Sequence, residues 1–372
     1  MQILSERRES LFGHSWPFPE MAYYVDHQGV WMNSGVAGRP NSVQRAARWE
    51  PAHRLLKVAW NILVDDHENN NSALRWPLLY KTIHSGGFPY VAYYGDNRKC
   101  SYRNWKNHSL PVFTTCTSLD CNYSFPFPTF RSMVDSKNST VAWKETTAER
   151  NNQYPWDSKQ RKVVWRGTFW TNLPHGQESI RSKLLKQVSG RLPNPYFDVL
   201  ATQAIDASDF SYLPDDADLS AVGGLASTEM VMEDFQNYVA VLDMDGMSWS
   251  SRFGALLCYN SVVLKVEPEF VDYFHFDLTP WKHYIPIKGD LSDLDEIAAF
   301  ALDSKNDARI QKIIRAANDW CHTNMLETKL GEDALDVWES YVGHLNRHDA
   351  DWQRTWNDAK VSLRMTQRVT DE

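Results

Sequence analysis

The chain has 372 residues and a mass of 43.0 kDa, a length that suggests about two domains. Its 42% hydrophobic and 23% charged residues match ordinary globular composition, which excludes a disordered, collagen-like or membrane-embedded protein. With 39 basic against 47 acidic residues the net charge is −8, so a general nucleic-acid-binding protein is not expected.

The first 160 residues contain few periodic segments. Residues 52–64 carry apolar side chains at helical spacing and predict a helix. Residues 88–94 predict a buried strand, which the turn signal Gly95-Asp96-Asn97 ends. Residues 100–160 are rich in Pro, Ser, Asn and aromatic side chains. We expect this stretch to wrap the first domain and to lead into a linker near residues 151–159.

After residue 160 the pattern alternates between strands and helices. The predicted strands are residues 162–168, 196–200, 238–242 and 261–266, with a short extended piece at 284–287. The predicted helices are residues 178–187, a segment starting at Trp249, a short segment at 268–274, and two amphipathic segments around 310–317 and 335–345. Strands and helices that alternate in this way predict a parallel sheet with helices on both faces, as in a Rossmann-like domain.

Three places near the ends of these strands carry groups that suit an anion. Arg166-Gly167-Thr168 ends the first strand, Arg181 lies in the next helix, and residues 247–252 open the helix predicted after the strand 238–242. This last turn consists of Met247, Ser248, Trp249, Ser250, Ser251 and Arg252. Open α/β sheets bind ligands at the carboxyl ends of their strands, helix starts offer free N–H groups, and arginine matches phosphate oxygens bidentately. The pattern predicts a diphosphate cradle, with a capped helix and a solvent-facing Arg252 as the alternative.

Two other motif classes bear on the chemistry of this region. The sequence contains neither a Walker A motif nor a GxGxxG motif, so an ordinary nucleotidase or dehydrogenase is not indicated. Asp243 and Asp245 form an Asp-x-Asp pair, a spacing that holds a divalent metal in some enzyme folds and that suits oxygen ligation of Mg²⁺ or Mn²⁺. Strand-end aspartates also cap turns, and we expect no metal at this pair.

Targeting and redox signals leave the compartment open. No stretch approaches the ~18 continuous apolar residues of a membrane span, and no apolar segment follows the basic start, so no signal peptide is predicted. The protein is therefore cytosolic, or its chain begins after a removed signal or anchor. The five cysteines fit neither a disulfide scaffold nor a zinc site, although one local bridge among Cys100, Cys116 and Cys121 is open.

The ordered block at residues 238–287 resembles glycosyltransferase family 90. That family contains the Rumi-type protein O-glucosyltransferases and the fungal capsule-associated xylosyltransferases. The similarity lies in NYVAVLDMDGMSWSSRFGALLCYNSVVLKVEPEFVDYF, followed by LTPWKHYIPIKGDLSDL, and extends back through VVWRGTFW and IRSKLL. It covers about residues 86–345.

The resemblance implies an α/β fold of GT-B type, in which two Rossmann-like domains face each other across a cleft. We expect an N-terminal acceptor-side domain at 1–155, a nucleotide-sugar domain at 156–345 and a C-terminal helical tail at 346–372. The resemblance also implies that Asp96 is the catalytic aspartate. The donor contacts it implies are Arg166, Thr168, Arg181, Met247, Ser248, Trp249, Ser250, Ser251 and Arg252.

The activity implied by the resemblance is inverting transfer of glucose, xylose or a related sugar from a UDP-sugar to a hydroxyl group on a protein or glycan. It implies no cofactor, no nucleic-acid partner and residence in the ER or Golgi lumen. The alternative is a lectin-like or scaffold protein that kept the fold and lost turnover. This alternative is motivated by Asn122, which replaces a family aspartate, and by the lack of the family's Cys-rich segment upstream of Asp96. A glycoside hydrolase fits poorly, because the chain resembles no such family.

Overall fold

The computed structural model describes residues 21–33, 43–69, 74–93, 112–118, 124–128, 136–171, 178–189, 195–206, 213, 218–226, 230–246, 248–348 and 365–368. The chain divides into two compact units. The first comprises Met1–Asn138, Val271–Tyr273 and Asn324–Glu372, and the second comprises Ser139–Phe270 and Phe274–Thr323.

Strands and helices alternate along the described parts of the chain. The strands are β1 (Met21–Asp26), β2 (Gly29–Asn33), β3 (Phe88–Tyr93), β4 (Val112–Thr114), β5 (Thr117–Ser118), β6 (Ser124–Pro126), β7 (Gln160–Thr171), β8 (Phe197–Asp206), β9 (Tyr238–Asp243), β10 (Val262–Val266), β11 (Phe270–Val271), β12 (Ile285–Ile287) and β13 (Met365–Arg368). The helices are α1 (Val43–Asn69), α2 (Pro77–His84), α3 (Thr140–Gln153), α4 (Ile180–Ser189), α5 (Phe253–Leu256), α6 (Leu294–Leu302), α7 (Asp307–Asn324) and α8 (Glu327–His348).

The first unit is built on a mixed sheet with the order β13-β2-β1-β3-β4-β6. Strands β13, β2, β1 and β3 are antiparallel neighbours, whereas β3, β4 and β6 run parallel. The core combines the buried faces of α1, α2 and α8, and Trp76 and Trp338 are among its largest side chains. The strand predicted at 88–94 and the helix predicted at 52–64 are confirmed as β3 and α1.

Two of the expected domain boundaries need correction. Helix α8, which the sequence placed in the second domain, buries Leu335, Trp338 and Val342 in the core of the first unit. The expected helical tail at 346–372 contains the strand β13, which pairs antiparallel with β2. Amphipathic spacing predicts that α8 has a buried face, but it does not identify the core that covers that face.

The second unit contains a fully parallel sheet with the order β12-β10-β9-β7-β8. Every residue of β9 and β10 is buried, so both faces of the sheet are covered, as is usual for parallel sheets. Numbered along the chain from β7, the order is 2-1-3-4-5, a doubly wound topology that changes direction between β7 and β9. The predicted α/β architecture of this half is confirmed.

Three local predictions in the second unit are wrong. The expected linker at 151–159 is instead the end of α3 and a 3₁₀ turn at Trp156–Ser158. The helix predicted at 268–274 does not form: Phe270 and Val271 form the strand β11 instead, and the N–H groups of Glu269 and Phe270 donate to the Asp245 carboxylate. The helix predicted from Trp249 begins only at Phe253 and has four residues.

A disulfide joins Cys258, just after α5, to Cys321 in α7. The two cysteines are 63 residues apart in the sequence, so their pairing could not be predicted from local spacing. A local disulfide among Cys100, Cys116 and Cys121 was an alternative in the sequence analysis. Cys100 and Cys121 lie outside the described residues. Among the described helices, none is both long and apolar enough to span a bilayer.

Lys159, just before β7, provides a test of the packing in the second unit. Its side chain is 6% exposed, its ammonium donates to the carbonyl of Gln236, and burial lowers its pKa to about 7. The unfolded chain, with an ordinary lysine pKa, therefore binds more protons than the native protein at alkaline pH. Consequently Lys159 makes the free energy of unfolding rise with pH above 7, by at most about 1.4 kcal/mol per pH unit.

We expect Lys159→Met to remove this rise, whereas Lys312→Met, at an exposed lysine of the same unit, should keep it. Urea denaturation of the three proteins between about pH 7.5 and 9.5 measures the slope. Equal slopes for Lys159→Met and the wild type would show that the amine is not held in its neutral form.

Candidate functional site

The candidate site lies at the carboxyl ends of β7 and β9. These strands flank the point where the sheet changes direction, and open α/β sheets bind ligands in the crevice outside that point. Strand β7 carries a register shift between Gly167 and Thr168, and such bulges commonly redirect the chain beside functional sites. Thr168 lies in the last third of β7, directly after this register shift, whereas Arg181 and residues 248–252 follow β7 and β9 along the chain.

Arg181, on α4, ties the two strand ends together. Its Nη1 donates to the carbonyl of Thr168 at 2.7 Å, and its Nε donates to the carbonyl of Asp245 at 2.9 Å. The guanidinium also lies 5.6 Å from the ring centre of Trp165. A β-carbon at Gly246 would come within 3.2 Å of Arg181 Nη2, so the turn after β9 passes closely against this arginine. These hydrogen bonds of Arg181 are made to the backbone, and its predicted contact with a donor stays a prediction.

The Asp-x-Asp pair is engaged by protein groups. Asp243 is fully buried, and its two carboxylate oxygens accept hydrogen bonds from Ser250 Oγ at 2.5 Å and from Lys265 Nζ at 2.7 Å. Asp245 Oδ1 lies 3.6 Å from the same ammonium, and Oδ2 accepts the N–H groups of Glu269 and Phe270. Burial raises the pKa of Asp245, while Lys265 and the two N–H groups oppose that rise.

The turn at residues 248–252 contains donors without partners. Ser248 and Trp249 are 1% and 6% exposed. Within the part of the chain that the structure describes, Ser248 Oγ and Trp249 Nε1 make no hydrogen bond. Buried polar groups are nearly always satisfied, so these two groups are candidates to bind a ligand. Ser250 differs from Ser248, because its hydroxyl proton is already donated to Asp243.

Arg252 ends this turn and lies against the end of β7. Its Nη1 donates to the carbonyl of Arg166 at 2.7 Å, and its guanidinium lies 5.9 Å from the ring centre of Phe235. The predicted helix start was expected to supply free N–H groups and a dipole. Because α5 has only four residues, it is too short to supply such a dipole.

The guanidinium of Arg166 is engaged within the sheet, and its predicted donor contact stays a prediction. Its buried guanidinium donates to the Asp198 carboxylate at 2.6 Å and to the Asp198 carbonyl at 2.8 Å. The Tyr238 hydroxyl donates to the same carboxylate at 2.5 Å, and burial together with Asp198 raises the pKa of Tyr238 to about 12. These three side chains link β8, β7 and β9, so Arg166 meets the candidate site through its backbone carbonyl.

Some predicted residues cannot be placed, and one important residue was missed. Asp96, Asn122 and Met247 lie outside the described residues, so their roles stay predictions. Lys265 was not singled out, although a lysine inside the apolar run VVLKV is a detectable signal, because a buried ammonium needs partners. No cluster of three or more His, Cys, Asp or Glu side chains suited to a metal occurs among the residues that the structure describes.

Comparison with known proteins identifies the family to which the chain is similar. The model of glycosyl transferase family 90 matches residues 93–349, which is more than half of the chain. Protein O-glucosyltransferase 3 of Rattus norvegicus is 24% identical over 261 residues, which cover 68% of this chain and 43% of that protein. Protein O-glucosyltransferase 2 of Danio rerio is 28% identical over 227 residues, 60% of this chain and 41% of that protein. The chain thus matches less than half the length of these relatives.

The contacts of Arg181 lead to a stability prediction. Arg181→Met should lower the free energy of unfolding by about 2–4 kcal/mol, because the carbonyls of Thr168 and Asp245 lose a charged donor. Arg315→Met, at an exposed arginine of the same unit, should change it by less than about 0.5 kcal/mol. Urea denaturation measures both losses, and similar small losses would show that Arg181 does not hold the strand ends together.

Proposed function

The chain belongs to glycosyl transferase family 90. From this premise we propose that it transfers glucose, xylose or a related sugar from a UDP-sugar, and that the acceptor is a hydroxyl group of a protein or glycan. The observation that carries the proposal is the unpartnered pair of donors, Ser248 Oγ and Trp249 Nε1, beside Arg252 at the point where the sheet changes direction. We include the GT-B arrangement in the proposal, with the second unit as the nucleotide-sugar domain. The names of the relatives, protein O-glucosyltransferases, support a protein acceptor.

The proposed reaction is a single displacement with inversion. The acceptor oxygen attacks the anomeric carbon while the bond from that carbon to the UDP oxygen breaks on the opposite face. Arg252 and the hydroxyl of Ser248 stabilise the negative charge that develops on the diphosphate. An alcohol is too weak an acid to ionise at neutral pH, so Asp96 takes the acceptor proton as the new glycosidic bond forms.

The proposed site works without a metal ion. A departing diphosphate needs positive charge, and in this scheme Arg252 and the turn N–H groups supply it. Asp243 and Asp245, the residues best suited by spacing to hold a divalent cation, are occupied by Lys265, Ser250 and backbone N–H groups.

The proposed compartment is the lumen of the ER or Golgi. Stable disulfides are typical of oxidising compartments and rare in the cytosol, and the Cys258–Cys321 bond supports this assignment. Asn138, in the sequon Asn-Ser-Thr, is exposed and would be accessible to glycosylation there.

A thermal-shift panel of UDP-, GDP- and CMP-sugars, run in EDTA, tests the proposed donor class. A ligand at 100 times its Kd stabilises the native state by about 2.7 kcal/mol, so a UDP-sugar should raise Tm by several degrees. Equal shifts for all three nucleotides would contradict the assignment. A shift that appears only with Mn²⁺ would contradict a site without metal.

Arg252→Ala tests the diphosphate contact. A hydrogen bond to a charged group contributes about 1.5–3 kcal/mol, so UDP affinity should fall roughly ten- to a hundredfold. Calorimetric titration with UDP measures this loss, and Arg315→Ala is the matched control on the same unit. Unchanged UDP affinity in a folded Arg252→Ala protein would remove Arg252 from the site.

Asp96→Asn tests the proposed base. General base catalysis contributes about 10²–10⁴-fold, so sugar transfer should fall by at least a hundredfold while UDP affinity and Tm stay near wild type. Release of free sugar from the donor by the wild-type protein separates a transferase from a lectin-like protein, since active transferases leak some sugar to water. Full transfer by Asp96→Asn would place the base at another residue.

A further inference from the structure

Lys265 lies on β10, and its buried ammonium faces the end of β9 and the turn that follows it. Its side chain is 3% exposed, and strand register places it directly opposite Asp243 in the neighbouring strand. Its ammonium lies 2.7 Å from one oxygen of Asp243 and 3.6 Å from one oxygen of Asp245. The ammonium also lies 4.8 Å from the ring centre of Phe253, the first residue of α5. A single positive group thus contacts both carboxylates of the Asp-x-Asp pair.

We propose that Lys265 is the built-in cation of this site, and that its ammonium occupies the position where an Asp-x-Asp pair would otherwise hold a divalent metal. The expected effect of Lys265 on donor binding rests on the proposed function. The position of its ammonium between the two carboxylates rests on the geometry alone. Divalent cations bind carboxylate oxygens at about 2.0–2.6 Å. Both oxygens would have to move toward the vacated position to share such an ion, Asp245 Oδ1 by about 1 Å from its present 3.6 Å.

The position of Lys265 explains how a residue on β10 can act on the turn at 248–252. Lys265 neutralises and orients Asp243, and the second oxygen of Asp243 accepts the hydroxyl of Ser250. Ser250 is thereby fixed between the unpartnered donors Ser248 and Trp249 on one side and Arg252 on the other. Lys265 is therefore a positioning residue, which acts on the donor through Asp243 and Ser250.

A purely structural ion pair would behave differently from a built-in cation. Removing one partner of a buried pair is strongly destabilising in either case, so loss of stability alone does not separate them. A cation position, once vacated, should accept an added metal ion, because two carboxylates then face each other without a counterion. If Lys265 instead paired with Asp243 alone, its removal would leave a single facing carboxylate, which offers no shared site.

The experiment measures Tm of Lys265→Ala without nucleotide, in EDTA and in millimolar MnCl₂ or CaCl₂. We expect Tm to fall by roughly 5–10 °C in EDTA and to recover at least half of that loss with either ion. The wild type and Lys282→Ala, an exposed lysine of the same unit, should not respond. The double variant Lys265→Ala/Asp245→Asn restores the original net charge of the cluster and should lose the response.

The outcomes decide the proposal even when Lys265→Ala is unstable. Folding of this variant only in the presence of the ion supports it, whereas failure to fold in both conditions contradicts it. An ion response no larger than that of Lys282→Ala, or one that survives Asp245→Asn, also contradicts it.

UDP titration is the second measurement. Lys265→Ala should bind UDP at least about tenfold more weakly in EDTA and regain affinity with Mn²⁺. Affinity equal to wild type in EDTA would limit Lys265 to a structural role. A wild-type protein that binds no UDP would instead contradict the proposed function, and the Tm response would still decide the position of the cation.

Discussion

Two cations hold the turn that follows β9, and the candidate site depends on them. Arg181 donates to the backbone carbonyls of this turn and of the end of β7, while Lys265 pairs with its two carboxylates. Fixed in this way, the turn places Arg252 against β7, where it donates to the carbonyl of Arg166. A ligand that meets preorganised donors costs less to bind than one that must order a mobile loop.

The parallel sheet explains why these polar groups lie at its edge. Strands β9 and β10 are buried along their whole length, so a polar side chain within them needs a partner in the interior. Lys265 meets this need with Asp243, and the buried Arg166 of β7 meets it with Asp198. At the edge of the sheet, where a ligand can reach them, Ser248 and Trp249 carry donors without partners among the described residues.

Much of the second unit could be predicted from the sequence. Strands β9 and β10 appear as largely apolar runs, because all of their residues are buried. The glycosyltransferase family resemblance was also recognisable, because the ordered block at 238–287 keeps its motifs together. These features depend on residues that are close together in the chain, so one sequence is enough to recognise them.

The parts that could not be predicted depend on partners distant in the chain. The sequence shows Arg166 and Cys258, but not that Asp198 binds the former and Cys321 the latter. Likewise, the proline-opened helix at 268–274 was a sound local interpretation, but Phe270 and Val271 form the strand β11 at this place. Helix α8 had a recognisable apolar face, while the core that covers it lies in the first unit.

The most direct test of a nucleotide site at this sheet edge is hydrogen–deuterium exchange of the wild-type protein with and without UDP. We predict that UDP slows exchange in peptides covering residues 248–257 and 168–171, because the ligand contacts that turn and the end of β7. Exchange in α8 should not change. Protection by UDP that is absent from residues 248–257 but present elsewhere would contradict the account.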